Sequence, residues 1–229
     1  MATVGLVHGA WHGSWCWDRL APELEAHGHR VVAVDLPADD ASAGLTRYAE
    51  LTAEALGDAD DAVLVGHSLG GSAIPLVAAL RPVAHLVFLC ALIPEPGKSA
   101  TDRYREESVF VPGFAGNTET REDGASYWTD AEAATRCLFH DCTAEDAAWA
   151  FARFRPQSAA PRSESWPLGE LPDIERTSIV CRDEQCISPE WSRRMSREQL
   201  GVEPVELDGG HSPFLSRPRE LAEVISRVG

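Results

Sequence analysis

The chain has 229 residues, of which 44% are hydrophobic and 24% are charged, so it is long and apolar enough for one α/β domain with a small insertion and is not a disordered chain. Lys and Arg total 20 against 36 Asp and Glu, giving a formal net charge of −16, and nucleic-acid binding, which needs a basic face, is not expected. No apolar run reaches the ~20 residues of a membrane span, and the N-terminus lacks the features of a signal peptide. We therefore expect a cytoplasmic protein that binds no membrane.

Strands and helices alternate over the first 95 residues. Short apolar runs rich in β-branched residues predict buried parallel strands at 3–8, 30–36, 61–66 and 84–90. The segments between them predict helices at 14–29, 45–57 and 69–80. This alternation predicts the α/β fold class, with a mostly parallel sheet and helices on both faces.

The alternation stops between 95 and 171, where Pro and Gly interrupt the chain and a helical pattern stands out only near 143–153. It resumes with a strand at 177–183, a helix begun by Ser188 and Pro189, a strand within 202–211 and a helix from about Pro218. We predict a core of residues 1–94 and 172–229 and a cap of residues 95–171 inserted over the sheet. Five aromatic residues are candidate walls of a substrate pocket in that cap, although each also fits ordinary packing: Phe114, Tyr127, Trp128, Phe139 and Trp149.

Ser68 stands at the centre of "VLVGHSLGG", residues 63–71, between a predicted strand and a predicted helix. The sequence "GHSLG" matches G-x-S-x-G, in which the Ser sits on a sharp strand-to-helix turn above the edge of the sheet. Gly66 and Gly70 leave room for such a turn, and the start of the following helix favours negative charge near Ser68. The five-residue pattern alone is common, but the strand before it and the helix after it favour a nucleophile.

A Ser nucleophile needs a base, and that base needs a carboxylate to orient it. In open α/β sheets such residues follow the carboxyl ends of strands. Asp183 and His211 each follow a later predicted strand, in the chain order Ser, acid, His that this turn implies. We therefore predict Ser68 as nucleophile, His211 as base and Asp183 as acid. Glu184 is the nearest rival acid, set aside because an adjacent side chain points elsewhere, and Asp208 better fits a turn.

The loop after the first strand, "HGAWHG", predicts a site for the oxyanion of the reaction. Gly9 lets the backbone turn sharply there. The backbone N–H of Leu69, directly after the nucleophile, is one expected donor, and the N–H of Ala10 is the other.

No metal or organic cofactor is expected. His8 and His12 are four residues apart, but they lack further ligands, and hydrogen bonding in the interior explains them better. We also expect a structural role for His67, beside the nucleophile. Two pairs of cysteines share a wider gap than zinc ligands usually have, and free buried thiols fit them better: Cys137 and Cys142, and Cys181 and Cys186.

These motifs together resemble the α/β-hydrolase superfamily, over most of the chain. The resemblance is carried by the run at 6–36, the "GHSLGG" turn, the region of Asp183 and "GGHSPFLSRP" around His211. Within the superfamily, the sequence is most similar to the branch of plant methylesterases and hydroxynitrile lyases. Gly9 stands where the lyases tend to carry Thr or Asn, and Ser212 stands where some carry Lys, so the resemblance implies ester hydrolysis.

The predicted function is a serine esterase that cleaves a small, largely apolar carboxylic ester, lactone or thioester through an acyl-enzyme. Its partner is a small-molecule substrate, and a homodimer is left open because dimers are common among the proteins it resembles. Two alternatives also stay open. One is a binding protein of the same fold with little turnover, and the other is a hydroxynitrile lyase, decarboxylase or cyclase that uses the same three residues.

Overall fold

In the computed structural model, which describes residues 1–228, six parallel strands form one sheet in the order β2-β1-β3-β4-β7-β8. Each strand is short and largely apolar, and β1 and β3 are buried along their whole length. The strands of the sheet are β1 Thr3–Val7, β2 Arg30–Val34, β3 Val63–His67, β4 His85–Leu89, β7 Arg176–Cys181 and β8 Val205–Leu207.

Helices connect the strands and cover the sheet. The path from β1 to β2 runs in one direction across the sheet, and the paths from β2 to β3 and from β3 to β4 run in the other. Right-handed crossovers therefore put the first connecting helix on one face and the next two on the opposite face. The helices are α1 Leu20–Ala26, α2 Leu45–Leu56, α3 Gly70–Leu80, α4 Ala100–Glu106, α5 Ala131–Leu138, α6 Ala144–Phe151, α7 Ala160–Ser163, α8 Pro189–Glu198, α9 Pro213–Ser216 and α10 Pro218–Ser226.

The sheet confirms the predicted α/β fold class, and the helix predicted at 14–29 is divided into two shorter helices. The helix expected at 14–29 is a 3₁₀ helix, Ser14–Trp17, followed by α1. The backbone N–H groups of Cys16 and Asp18 bond to the carbonyls three residues earlier, and this tighter winding rarely runs beyond one turn. The helix predicted from Ser188 is α8, and the Ser188 hydroxyl caps it by accepting from the N–H of Trp191.

The segment between β4 and β7 adds no strand to the main sheet within residues 1–228. It contains four of the helices, α4 to α7, and an antiparallel pair, β5 Thr118–Thr120 and β6 Ser126–Trp128. Side-chain caps begin three of these helices, supplied by Ser99, Asp130 and Thr143. The sequence pattern had indicated just the helix near 143–153, which is α6, because the other elements are short and lack a long apolar period.

The interior is built from the inward faces of the sheet and its helices. All six cysteines are free thiols, as expected, and five of them are buried. No helix in residues 1–228 has the length and apolar character needed to cross a membrane.

Candidate active site

The candidate site lies where the direction of the sheet reverses, between β1 and β3. These strands are neighbours, with Val7 beside Gly66, so the loops that follow them start side by side. The crevice outside the carboxyl ends of strands at such a point is the usual place for a ligand in open α/β sheets. Ala10 follows β1 and Ser68 follows β3, and both contact the same cavity.

Ser68 has the strained backbone of a sharp strand-to-helix turn. Its φ is +51°, in the left-handed region that residues other than Gly rarely adopt. Neighbouring backbone holds it there, since its N–H donates to the carbonyl of Leu89 (3.1 Å) and its carbonyl accepts from the N–H of Leu92 (2.9 Å). A Cβ at Gly70 would lie 2.5 Å from the carbonyl oxygen of Val7, so only Gly fits directly after this turn.

His211 is held by a buried carboxylate, that of Glu184. Its Nδ1 lies 2.7 Å from Glu184 Oε2, and the side chains of both residues are 3% exposed or less. The other carboxylate oxygen, Oε1, accepts from the backbone N–H of Cys186 at 2.7 Å. With both oxygens occupied, Glu184 fixes the imidazole with the proton on Nδ1, and leaves Nε2 free to accept a proton.

The prediction that Asp183 orients His211 is wrong. Asp183 is exposed, and its Oδ2 accepts a 3.3 Å hydrogen bond from the backbone N–H of Gly209. The strand β7 ends at Cys181, two residues earlier than predicted, so the chain has turned before the two acids. In that turn the Glu184 side chain is the one that enters the interior. The sequence had pointed to the correct pair of adjacent acids but not to the correct member.

The loop after β1 brings backbone N–H groups to the nucleophile. A Cβ at Gly9 would lie 2.7 Å from the Cβ of Ser68, so the loop packs directly against it. Within residues 1–228, the N–H groups of Ala10 and Leu69 donate to no protein acceptor, and both residues line the cavity at Ser68. They are thus available to a ligand oxygen. The carbonyl of Ala10 is fixed by His12, whose Nδ1 lies 2.8 Å from it.

Three other histidines around the site are buried and neutral. Burial lowers the pKa of His8 to about 4 and that of His12 to about 3, and it holds the pKa of His67 well below its usual value. His8 Nε2 accepts from the N–H of Leu36, and His67 Nε2 donates to the carbonyl of His211, each at 2.9 Å. The first bond ties the loop after β1 to the loop after β2, and the second ties the end of β3 to the loop after β8, in keeping with the structural roles expected for these histidines.

The cavity at Ser68 has a volume of about 140 Å³, and its walls are mostly apolar. Of the five aromatic residues proposed as pocket walls, Phe114 lines it. The ring of Trp128 packs edge-on against the ring of Phe114, with 6.1 Å between the ring centroids. The hydroxyl of Tyr127 donates to Glu119. The remaining two pack elsewhere: Phe139 against His12, and Trp149 against Trp15 and Arg153.

Several cavity residues had no signal in the sequence, because they come from short elements and loops of the segment between β4 and β7 or from the turn after β7. They are Tyr104, Phe110, Ala115, Thr118, Arg162 and Cys186. A second cavity, of about 20 Å³, shares Leu92 and Tyr104 with the first, but Ser68 is not in its wall. The cavity at Ser68 is therefore the candidate substrate site.

One group of buried side chains has atoms that are near enough to hold a metal. Cys90, Glu184 and His211 offer ligand atoms within 4.8 Å of one another. A hydrogen bond with Cys181 and burial raise the pKa of Cys90 well above its usual value, so its thiol stays protonated and is a poor ligand. Since Glu184 also bonds the Nδ1 of His211, the group fits an oriented imidazole better than a metal, and the absence of a cofactor stays a prediction.

A family profile described as the alpha/beta hydrolase family matches residues 6–224. The chain belongs to this family. Methylesterase 3 of Arabidopsis thaliana is 30% identical to this hydrolase, over 98% of the chain and 95% of the relative. The alpha-hydroxynitrile lyase of the same plant is also 30% identical, over 97% and 95% of the two chains. The resemblance to the methylesterase and lyase branch is thereby confirmed.

A solved structure agrees with the fold of this hydrolase over nearly its whole length. A pyrethroid hydrolase from Sphingobium faniae JZ-2 superimposes with a TM-score of 0.82 at 26% identity, covering 99% of this chain and 96% of that one. The α/β-hydrolase fold predicted from the sequence is confirmed.

Proposed function

We propose that this α/β hydrolase cleaves small, largely apolar carboxylic esters through an acyl-enzyme on Ser68. The general class, a carboxylic ester hydrolase, is confirmed by relatives named as a methylesterase and a pyrethroid hydrolase. The observation that carries the finer proposal is the buried 2.7 Å bond between His211 Nδ1 and Glu184. An imidazole fixed in this tautomer and a Ser held on a strained turn are parts of the arrangement that activates a hydroxyl.

In the first step, Ser68 Oγ attacks the carbonyl carbon while His211 Nε2 takes the hydroxyl proton. Among residues 1–228, these two side chains do not hydrogen bond directly, and such contacts often tighten only when substrate is bound. The Glu184 carboxylate stabilises the imidazolium that forms. Collapse of the tetrahedral intermediate breaks the bond between carbonyl carbon and alkoxy oxygen, and His211 gives its proton to the leaving alcohol.

In the second step, water attacks the acyl-Ser68 ester, His211 takes a proton from that water, and the acid leaves as Ser68 regains its proton. The N–H groups of Ala10 and Leu69 hold the oxyanion in both steps. A donor of this kind typically contributes about 3–4 kcal/mol to transition-state stabilisation. The fixed backbone around Gly9 and Ser68 supports this role, because the donors need no rearrangement during the reaction.

We further propose that residues 95–171 act as a cap that sets substrate size. Phe110, Phe114 and Tyr104 come from this segment and line the cavity opposite the loop after β1. The mostly apolar wall suits a small ester with an apolar acyl or alcohol group.

A second candidate activity is cyanohydrin cleavage, which the match to a hydroxynitrile lyase favours. Two residues favour ester hydrolysis over cyanohydrin cleavage. Gly9 has no side chain that could hold a cyanohydrin hydroxyl, and Ser212 supplies no positive charge for departing cyanide. Cyanide release from mandelonitrile, measured beside ester hydrolysis, distinguishes the two activities.

The proposal is tested by Ser68→Ala, assayed on a panel of 4-nitrophenyl esters. We expect turnover to fall to the background rate while the thermal unfolding curve is unchanged, since little volume is lost. Ser72→Ala is the matched control, because Ser72 lies one helical turn away and its hydroxyl donates to the carbonyl of Leu92. Full activity in Ser68→Ala would contradict the proposed mechanism.

A further inference from the structure

Arg162 is a cation in the wall of an otherwise apolar cavity. It is the one charged residue among the described residues that line the space at Ser68. Apolar surroundings make a guanidinium costly to bury unless an anion compensates its charge. A guanidinium in these surroundings therefore needs an anion to compensate its charge.

No acid of the described chain pairs with this guanidinium. Its Nε is buried and has no protein acceptor within residues 1–228. The acid nearest in sequence, Glu164, is used elsewhere, since its carboxylate accepts from the N–H of Leu45 and from the hydroxyl of Thr46 at the start of α2. By contrast, the buried Arg103 pairs with Glu107, and the half-buried Arg155 pairs with Asp35.

The titration behaviour of Arg162 agrees with this geometry. Burial lowers the pKa of Arg162, and the nearby hydroxyls of Tyr104 and Tyr48 oppose that shift only in part. An arginine nonetheless stays protonated at any pH in which the protein is folded. The positive charge is therefore present and incompletely compensated.

The backbone that carries Arg162 is anchored on both sides. The carbonyl of Arg162 accepts from the hydroxyl of Thr101 at 3.0 Å, and its N–H donates to the carbonyl of Ala159. Further along, the indole N–H of Trp166 donates to the carbonyl of Ser72 at 3.0 Å, beside the helix that follows the nucleophile. The backbone position of Arg162 is thus set before any ligand arrives, which limits the space that its guanidinium can reach and lowers part of the cost of binding a ligand.

A neutral donor lies near the cation. Tyr104 lines the same cavity, and burial raises its pKa well above the usual value, so its hydroxyl remains a hydrogen-bond donor at neutral pH. A planar fork of N–H donors with a neighbouring O–H matches the two oxygens of a carboxylate. The overall charge of −16 disfavours anions at the surface, so a carboxylate needs such a local site to enter.

We propose that Arg162 binds a carboxylate of the substrate, so that the enzyme prefers esters carrying a second, anionic group, such as monoesters of dicarboxylic acids, over neutral esters of equal size. This inference rests on the proposed hydrolysis at Ser68. Arg162 acts remotely from the reacting bond, and it contacts the carboxylate equally in the ground state and the transition state. Its contribution therefore appears in KM and leaves kcat nearly unchanged.

The test compares 4-nitrophenyl hydrogen glutarate with its methyl ester, in which the same carboxylate is masked. Rates are corrected for the reaction without enzyme, because the free carboxylate attacks its own ester. We expect the wild-type protein to favour the anionic substrate in kcat/KM. In Arg162→Leu, kcat/KM for that substrate should fall by about 10- to 100-fold, which is the usual worth of a hydrogen bond to a charged group. The neutral ester should change by less than about threefold.

Two variants serve as controls, one for net charge and one for the shape of the cation. Arg219→Leu removes the same charge from a side chain that is 83% exposed, and it should leave the preference unchanged. Arg162→Lys keeps the charge but loses the fork, and it should restore part of the preference. Equal losses for both substrates in Arg162→Leu, or a wild-type preference for the neutral ester, would overturn the proposal.

The binding of glutarate itself separates this inference from the proposed function. Calorimetry should detect glutarate bound to wild type and to Ser68→Ala, and not to Arg162→Leu. Glutarate binding without ester turnover would overturn the proposed function and leave the carboxylate site standing. Ser68-dependent turnover without glutarate binding or anionic preference would overturn the carboxylate site and leave the function standing.

Discussion

Replacing Glu184 with Gln gives the sharpest test of how His211 is held. The backbone N–H of Cys186 bonds to Glu184 Oε1 and requires an acceptor there. The amide oxygen of a glutamine must therefore face Cys186, which turns its NH₂ group toward His211 Nδ1. That nitrogen then becomes the acceptor, the proton moves to Nε2, and the imidazole can no longer accept the proton of Ser68.

The magnitude follows from the same geometry. Reversing the histidine tautomer in a Ser–His–acid group typically costs about 10⁴ in kcat, or about 5 kcal/mol of transition-state stabilisation. We expect a loss of about 10³ to 10⁴ in kcat for Glu184→Gln, measured with a saturating 4-nitrophenyl ester. Circular dichroism and thermal unfolding check that the variant is folded.

Asp183→Asn is the matched control, one residue away. Its exposed carboxylate makes a 3.3 Å bond to the N–H of Gly209, which an asparagine oxygen can also accept. We expect kcat within about threefold of wild type, as for an ordinary surface change. A large loss in Asp183→Asn together with near-normal turnover in Glu184→Gln would refute the assignment of the acid.

Two further predictions concern stability. His8, His12 and His67 stay neutral in the native state, with pKa values lowered by burial, whereas in the unfolded chain they bind protons below about pH 6.5. The free energy of unfolding should therefore fall as pH drops from 6.5 toward 4, by up to about 4 kcal/mol per pH unit. Urea titrations measure this free energy, and equal values at pH 7 and pH 5 would contradict the prediction. Gly70→Ala places a Cβ 2.5 Å from the carbonyl oxygen of Val7, so we expect a loss of about 3 kcal/mol, a Tm lower by roughly 5–10 °C and little activity. Gly169→Ala, with no atom within 4 Å of the new Cβ, should change Tm by less than about 2 °C, and equal shifts in both variants would count against the crowding at Gly70.

The sheet could be predicted because each of its strands is marked by a pattern within its own short stretch of sequence. Buried parallel strands are continuous apolar runs, and β3 and β4 each contain such a run. The positions of Ser68 and Ala10 followed, since residues after neighbouring strands must meet at one edge of the sheet. Their chemical roles remain predictions, and the structure supplies the geometry that supports them.

The acid and the cavity wall could not be predicted for two physical reasons. The alternation of a strand fixes the direction of a side chain only within the strand, and β7 ends at Cys181, so the directions of Asp183 and Glu184 depend on a turn. Arg162 belongs to the short helix α7, whose place is set by contacts with residues distant in sequence, such as Thr101. No local pattern in the sequence indicates such contacts.

Covalent labelling tests directly whether Ser68 is an activated nucleophile. The protein is treated with a fluorophosphonate, and the product is read by intact mass and peptide mapping. We expect a single adduct on Ser68 that disappears in Ser68→Ala and forms far more slowly in Glu184→Gln. A folded protein that forms no adduct, or one whose adduct lies on another residue such as Ser72, would contradict this expectation.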